Sequence, residues 1–112
     1  MPTVVAFETI SDLYQNLTKK YVGNDKTAFA YKPLSSEPYV EINWDKVKEA
    51  VEAIASYLLY RGVEKGDRIA ILSENRYEWV IVDLALQSLG AINVSLYTSL
   101  PPDQCEFIIN DS

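Results

Sequence analysis

Glu74 and Glu78 stand one helical turn apart and are the nearest approach of this sequence to an acid–base pair. Such a pair works when two carboxyl groups sit in environments that keep one protonated and the other charged. Both glutamates fall where a helix begins, and a carboxylate there complements the positive helix end without any catalytic role. The other reactive side chains are few. There is no histidine, which excludes a Ser-His-Asp triad, a Cys-His dyad and an imidazole metal site within the chain. One cysteine, Cys105, excludes an internal disulfide, a thiolate zinc site and a Cys-x-x-Cys pair. It shares a helix face with Ile108 and Ile109 and reads as a buried structural thiol rather than a nucleophile. Asp83 lies on an otherwise apolar helix. It needs hydrogen-bond partners if buried, and Gln87 one turn on or Arg76 two turns back would supply them.

Phosphate chemistry is equally poorly served. The four glycines, Gly23, Gly62, Gly66 and Gly90, are scattered, so no glycine-rich loop forms. Tyr97-Thr98-Ser99 is hydroxyl-rich, but Pro101 and Pro102 follow closely and have no N–H to offer a phosphate. A strand-to-helix loop is the expected role. No catalytic, cofactor-binding or metal residue is assigned. Lys and Arg number 10 against 16 Asp and Glu, a net charge of −6. Arg61, Arg68 and Arg76 are dispersed with no interleaved aromatics. Nucleic acid is therefore not the expected partner, nor is an anionic membrane surface for this segment. Met1 to Ala6 lack a basic region and a long apolar run, so no signal peptide is visible, and no stretch is long enough to span a membrane. A cytoplasmic setting is expected.

The elements that position these residues follow from periodicity. Thr9 caps a first helix to about Tyr21, with Ile10, Leu13, Tyr14, Leu17 and Tyr21 on one face. Tyr14 and Tyr21 are expected to pack within the chain. Residues 27–32 and 39–42 read as two strands of a hairpin lying within about 27–43. Asn43 caps the second helix, with Ile42 stapled onto Val47, and Gly62 and Val63 close it. Arg68 to Leu72 is a short strand. Asn75 and Glu78 form a capping box for a third helix ending near Gly90, and Ala91 to Leu96 is a further strand. Strand, helix and strand make a βαβ unit over about 68–96, parallel and right-handed. A last helix starts at Pro102, capped by Pro101, and runs to about Asn110. The fold class is α/β: an N-terminal helix and β-hairpin followed by a βαβ unit.

With 112 residues the chain has surface to bury for one domain but not two. The third helix argues that even this domain is incomplete. Trp79, Val80, Ile81, Val82, Leu84, Ala85, Leu86 and Leu89 surround it, leaving only a stripe of Arg76, Asp83 and Gln87. A helix apolar all round is covered on several sides, and the other elements here hardly suffice. The spare apolar surface is expected to give self-association, domain swapping through the first helix or hairpin, or a molten monomer, rather than a compact independent monomer.

The stretch from Leu58 onward resembles a known family. Gly62 to Leu72 is similar to the "G-V-x-x-G-D-R-V-A-I" segment of the adenylate-forming, AMP-binding acyl-CoA synthetases, and Ser73 to Trp79 to their "S-E-N-R-P-E-W". Asp83-Leu84-Ala85, Gly90 to Val94 and Leu100 to Gln104 follow in order, and Ile108 to Ser112 resembles "I-L-N-D-S". The form around Glu74 to Trp79 is closest in kind to the long-chain fatty-acid–CoA ligases. Tyr77 departs from the usual proline. The resemblance covers about the last two-thirds of the chain. It implies that residues 1–112 are an incomplete N-terminal part of a much longer domain, a partial layer with the remainder of that domain as its partner. It also implies a parent reaction. A fatty acid and ATP give acyl-AMP with magnesium, and coenzyme A then displaces AMP. The family's phosphate loop, acidic magnesium residues and catalytic lysine lie downstream and have no counterpart here, so the segment alone is expected to be structural, inactive and without cofactor. The parent enzyme would be cytoplasmic and peripheral at the membrane. The alternative is a free-standing α/β binding or interaction module without enzyme activity. Its Rossmann form is disfavoured by Glu74, which stands where a pyrophosphate would sit.

Overall fold

The computed structural model describes residues 8–74 and 76–112. Helix α1 spans Ile10–Tyr21, and the Thr9 hydroxyl accepts a hydrogen bond from the Asp12 N–H at 3.0 Å. Strands β1 (Thr27–Tyr31) and β2 (Val40–Asn43) pair antiparallel, with Phe29 opposite Ile42 and Tyr31 opposite Val40. The strands sit one residue from the expected limits. Lys32 leaves the ladder and places its ammonium 4.7 Å from the centre of the Tyr39 ring, which also lies outside.

Helix α2 runs from Trp44 to Tyr60. Asn43 Oδ1 accepts from the Lys46 N–H at 2.9 Å, the expected cap, and Ile42 packs against the cluster containing Val47. At the far end Gly62 takes φ +91°, the Gly62 N–H donates to Leu59 O and the Val63 N–H to Leu58 O. That is the double closure of a Schellman motif, and it needs a left-handed residue where glycine stands.

Strand β3 (Arg68–Leu72), helix α3 (Tyr77–Leu89) and strand β4 (Ile92–Leu96) form the βαβ unit. The strands are parallel and in register from Arg68 beside Ile92 to Leu72 beside Leu96. The expected Asn75 cap lies outside the described residues. Arg76 is the N-cap, extended and without a side-chain capping bond, so α3 opens on Tyr77. Tyr77 thus takes the first helical position, where a proline fits because its missing N–H has no helical partner anyway. The start moves by one residue from the sequence reading, and Glu78 turns to Arg76 instead of completing a capping box, Arg76 Nη2 donating to Glu78 Oε1 at 3.2 Å. Helix α4 covers Pro102–Asp111 behind an extended Pro101.

The core sits where α1, α2 and α3 meet. Tyr14, Val47, Val51, Ile81 and Ala85 form one buried cluster, with Phe29, Ile42 and Trp44 packed against it. Alternation along the strands sends Ile69, Ile71 and Asn93 toward α3 and leaves Arg68, Ala70, Leu72 and Ile92 exposed on the other face. As the sequence leads one to expect, the other elements do not cover α3 all round. Ile81, Ala85 and Leu86 are buried, but Trp79, Val80, Val82, Leu84 and Leu89 stay half-buried, with α1, α2 and β4 lying against the helix and Phe29 and Tyr31 of β1 reaching Tyr77 at its start.

Candidate functional site

In open parallel sheets, ligands settle beyond the carboxyl ends of the strands, where chain direction and helix N-termini converge. A crevice of about 590 Å³ occupies that place here. Ser73 and Glu74 come from the end of β3, Trp79 from the first turn of α3, and Tyr97, Thr98 and Ser99 from the loop after β4. Sequence reasoning singled out Glu74 and Tyr97-Thr98-Ser99 separately, and the parallel register brings them together. It missed Ser73 and Trp79. Their position flanking the β3–α3 turn was the available signal.

No lysine or arginine lines the crevice, and Glu74 supplies its one formal charge. Ser73 is already committed, its hydroxyl donating to Glu74 O at 2.9 Å. The walls therefore repel phosphate rather than cradle it. Pro101 and Pro102 withhold two N–H donors from the following helix end. Glu74 and Glu78 do not act as a pair. Glu78 lies against Arg76 on the other side of the helix start, in a second small pocket with Tyr31, Lys32 and Tyr77. Burial and then the Glu78 carboxylate push the Tyr77 phenol above its ordinary value, and its ring stacks on Tyr31 at 5.1 Å.

Asp83 does form a structural hydrogen bond, but with neither expected partner. Asn93 Nδ2 on β4 donates to Asp83 Oδ1 at 2.8 Å, and Ser95 Oγ donates to Asn93 Oδ1 at 3.3 Å. The partner comes from the next strand because α3 lies against β4, a tertiary relation that helical spacing does not reveal. Cys105 is half-buried rather than buried, since no residue of α4 is buried; its sulfur lies 4.0 Å from Leu100 O. Tyr14 packs within the chain as expected, and Tyr21 stacks on Trp44 at 6.0 Å. Among the described residues, no group of three or more histidine, cysteine or acidic side chains could hold a metal ion.

A helix, a hairpin and a βαβ unit in this order are an α/β layer shared with N-terminal subdomains of adenylate-forming enzymes. The N-terminal subdomain of Klebsiella oxytoca NpsA superposes with a TM-score of 0.78 over 93% of this chain and 25% of that one, at 22% identity, a likeness of fold alone. Residues 18–112 match the family described as AMP-binding enzyme, and the chain belongs to that family. Its relatives include the long-chain-fatty-acid–CoA ligase FadD15 of Mycobacterium bovis, 30% identical over 89 residues. That match takes in 80% of this chain, and the chain spans only 15% of that protein's length. A structure described as a long-chain-fatty-acid CoA ligase of Rhodopseudomonas palustris is 31% identical, with a TM-score of 0.76 over 93% of this chain and 24% of that one.

Proposed function

We propose that these 112 residues are the N-terminal segment of a long-chain fatty-acid–CoA ligase and serve as a structural layer of its adenylation domain. The observation that carries this reading is the family match over residues 18–112, joined to a strand-end crevice whose chemistry does not fit ATP. Glu74 sits where a triphosphate would need cations, and magnesium held there would have one carboxylate for a ligand set. The residues present thus do not fit either group, and no step of acyl transfer is routed through them. Their contribution is positional. The core of α1, α2 and α3 fixes the β3–β4 pair, and that pair is the platform on which the remainder of the domain would build the sites for fatty acid, ATP and coenzyme A. A cytoplasmic enzyme, peripheral at the membrane, is part of the same proposal; among the described residues no helix is long and apolar enough to cross a bilayer.

Incubation of the 112-residue chain with a fatty acid, ATP, magnesium and coenzyme A, with thioester and AMP both followed, tests the reading. The expected result is no product above the buffer control. Turnover that survives repurification and is lost on Glu74→Ala would overturn it and place the reaction in the crevice.

A further inference from the structure

Strands β3 and β4 pair only with each other among the described residues, so each keeps one edge open. The two strands are not alike. Strand β3 carries Ile69, Ala70, Ile71 and Leu72 without a polar interruption, the pattern of a strand covered on both faces inside a parallel sheet. Strand β4 is interrupted by Asn93 and Ser95 on the side of α3, where Asn93 meets Asp83. The pairing also fixes which peptide groups look outward. Asp67 O accepts the Ile92 N–H at 2.7 Å, and peptide groups alternate in direction along a strand. Ile69 and Ile71 therefore turn their N–H and C=O toward β4, while Arg68, Ala70 and Leu72 turn theirs to the open edge. Nothing in β3 guards that edge. The strand has no proline, no lysine and no bulge, and Leu72 is 61% exposed.

Helix α4 lies on the sheet face opposite α3. Leu72 of that face shares a groove of about 470 Å³ with Cys105 and Ile109, its neighbour Leu96 is buried, and Arg68 Nη1 donates to Ser112 O at 3.0 Å. Helix α4 thus starts after β4 and ends beside the start of β3. With α3 on one face and α4 on the other, right-handed crossovers lead from β3 to β4 and then back past β3. We infer that the open edge of β3 is an acceptor for a third strand. The segment it takes is extended and apolar, enters beside Arg68, runs parallel to β3 toward Leu72, and leaves β3 in the centre with β4 on its other side. This rests on the reading of the chain as one layer of a longer adenylation domain, and the remainder of that domain is the source of the segment. Main-chain bonds to Arg68, Ala70 and Leu72 supply affinity. Ile69 and Ile71 on one face and Ala70 and Leu72 on the other select apolar side chains at successive positions.

A blocked hexapeptide, Lys-Val-Ile-Val-Ile-Lys with a nitroxide at its N-terminus, tests this when added to the 112-residue chain and followed by heteronuclear NMR. Saturable binding below about 2 mM is expected. The amides of Ala70 and Leu72 should gain about tenfold or more in exchange protection, while those of Ile69 and Ile71 change little. Nitroxide broadening should be strongest near Arg68 and Ser112. Ala70→Pro removes an outward N–H without touching the ladder to β4, and should weaken binding by about tenfold or more. Ser95→Pro removes an N–H from the outer edge of β4 and leaves binding unchanged. Should Ala70→Pro fail to fold, the same peptide N-methylated at its inner residues decides, because it must not bind. The assignment is overturned by no binding at the highest peptide concentration, broadening centred on Leu72, shifts confined to Asn93 and Ser95, or undiminished binding of the methylated peptide. None of these outcomes touches the parent reading, which falls only if the chain itself makes thioester.

Discussion

Tyr14 carries a conflict between packing and polarity. Its ring belongs to the buried core cluster, yet its hydroxyl is buried with no hydrogen-bond partner. Burial, and then the Glu52 charge, push the phenol from 10.0 up to about 12. The neutral form is the one the core accepts. Its contribution to stability is complete below pH 10 and is lost as the pH rises through about 12, amounting to at most about 3 kcal/mol. Tyr14→Phe keeps the ring and removes the orphan hydroxyl, so it should be neutral or stabilising by up to about 1 kcal/mol near neutral pH. It should also flatten the alkaline loss, which urea melts at pH 8 and at pH 11 would show. A Phe variant that loses stability at pH 8 would mean the hydroxyl has a partner. The Asp83–Asn93 bond makes the opposite case. Asn93→Ala leaves a half-buried carboxylate short of a donor and should cost about 1–2 kcal/mol in the same melts. The need of Asp83 for a partner was legible in the sequence. The identity of that partner was not, because Asn93 is ten residues away on a strand and reaches Asp83 only through packing of α3 on β4.

Elements were legible wherever a local signal existed. Thr9 and Asn43 cap their helices as their residue types require, and Gly62 closes α2 in a left-handed conformation. Asn43→Ala should therefore cost about 1 kcal/mol. Gly90 is more demanding. It ends α3 at φ +72°, and a β-carbon built there would meet Lys65 Cγ at 3.0 Å. Since the lysine side chain can move away, most of the cost of Gly90→Ala is backbone strain, about 1–2 kcal/mol, visible as a lower thermal midpoint. A loss no larger than a typical surface substitution would show that the α3–β4 turn rearranges. Legibility failed at the start of α3, where Asn75 looked like the better cap and the helix opens at Tyr77 behind Arg76. The hairpin limits also differ by one residue, β1 ending at Tyr31 instead of Lys32 and β2 running from Val40 to Asn43 instead of over 39–42, because cross-strand pairing of Tyr31 with Val40 sets the limits, not residue preference alone. The crevice was half legible. Its hydroxyls and Glu74 were visible as residues, but their convergence depends on the parallel register of β3 and β4.

At the scale of the whole molecule, the chain closes one small core and leaves the other side open. Among the described residues eight hydrophobic side chains are buried, while fourteen large ones are exposed. Stability is consequently uneven. Helix α4 has no buried residue, and a two-stranded sheet such as β3–β4 is marginal without a layer on each face. The slowest-opening part must be where α2 and α3 cross, around Val47, Val51, Ile81 and Ala85, with α1 held onto them by Tyr14. Native-state hydrogen exchange on a dilute sample should resolve this order. Amides of Cys105 to Ile109 should exchange first, through local opening that denaturant barely accelerates. Those of β3 and β4 should follow, and those of Val51 and Ala85 should exchange last, at the free energy of global unfolding. Protection of α4 equal to that of α2 in dilute solution would contradict the order. It would mean that α4 is held by contacts its exposed side chains do not show, and that the 112 residues close more of their core than the burial of α1, α2 and α3 implies.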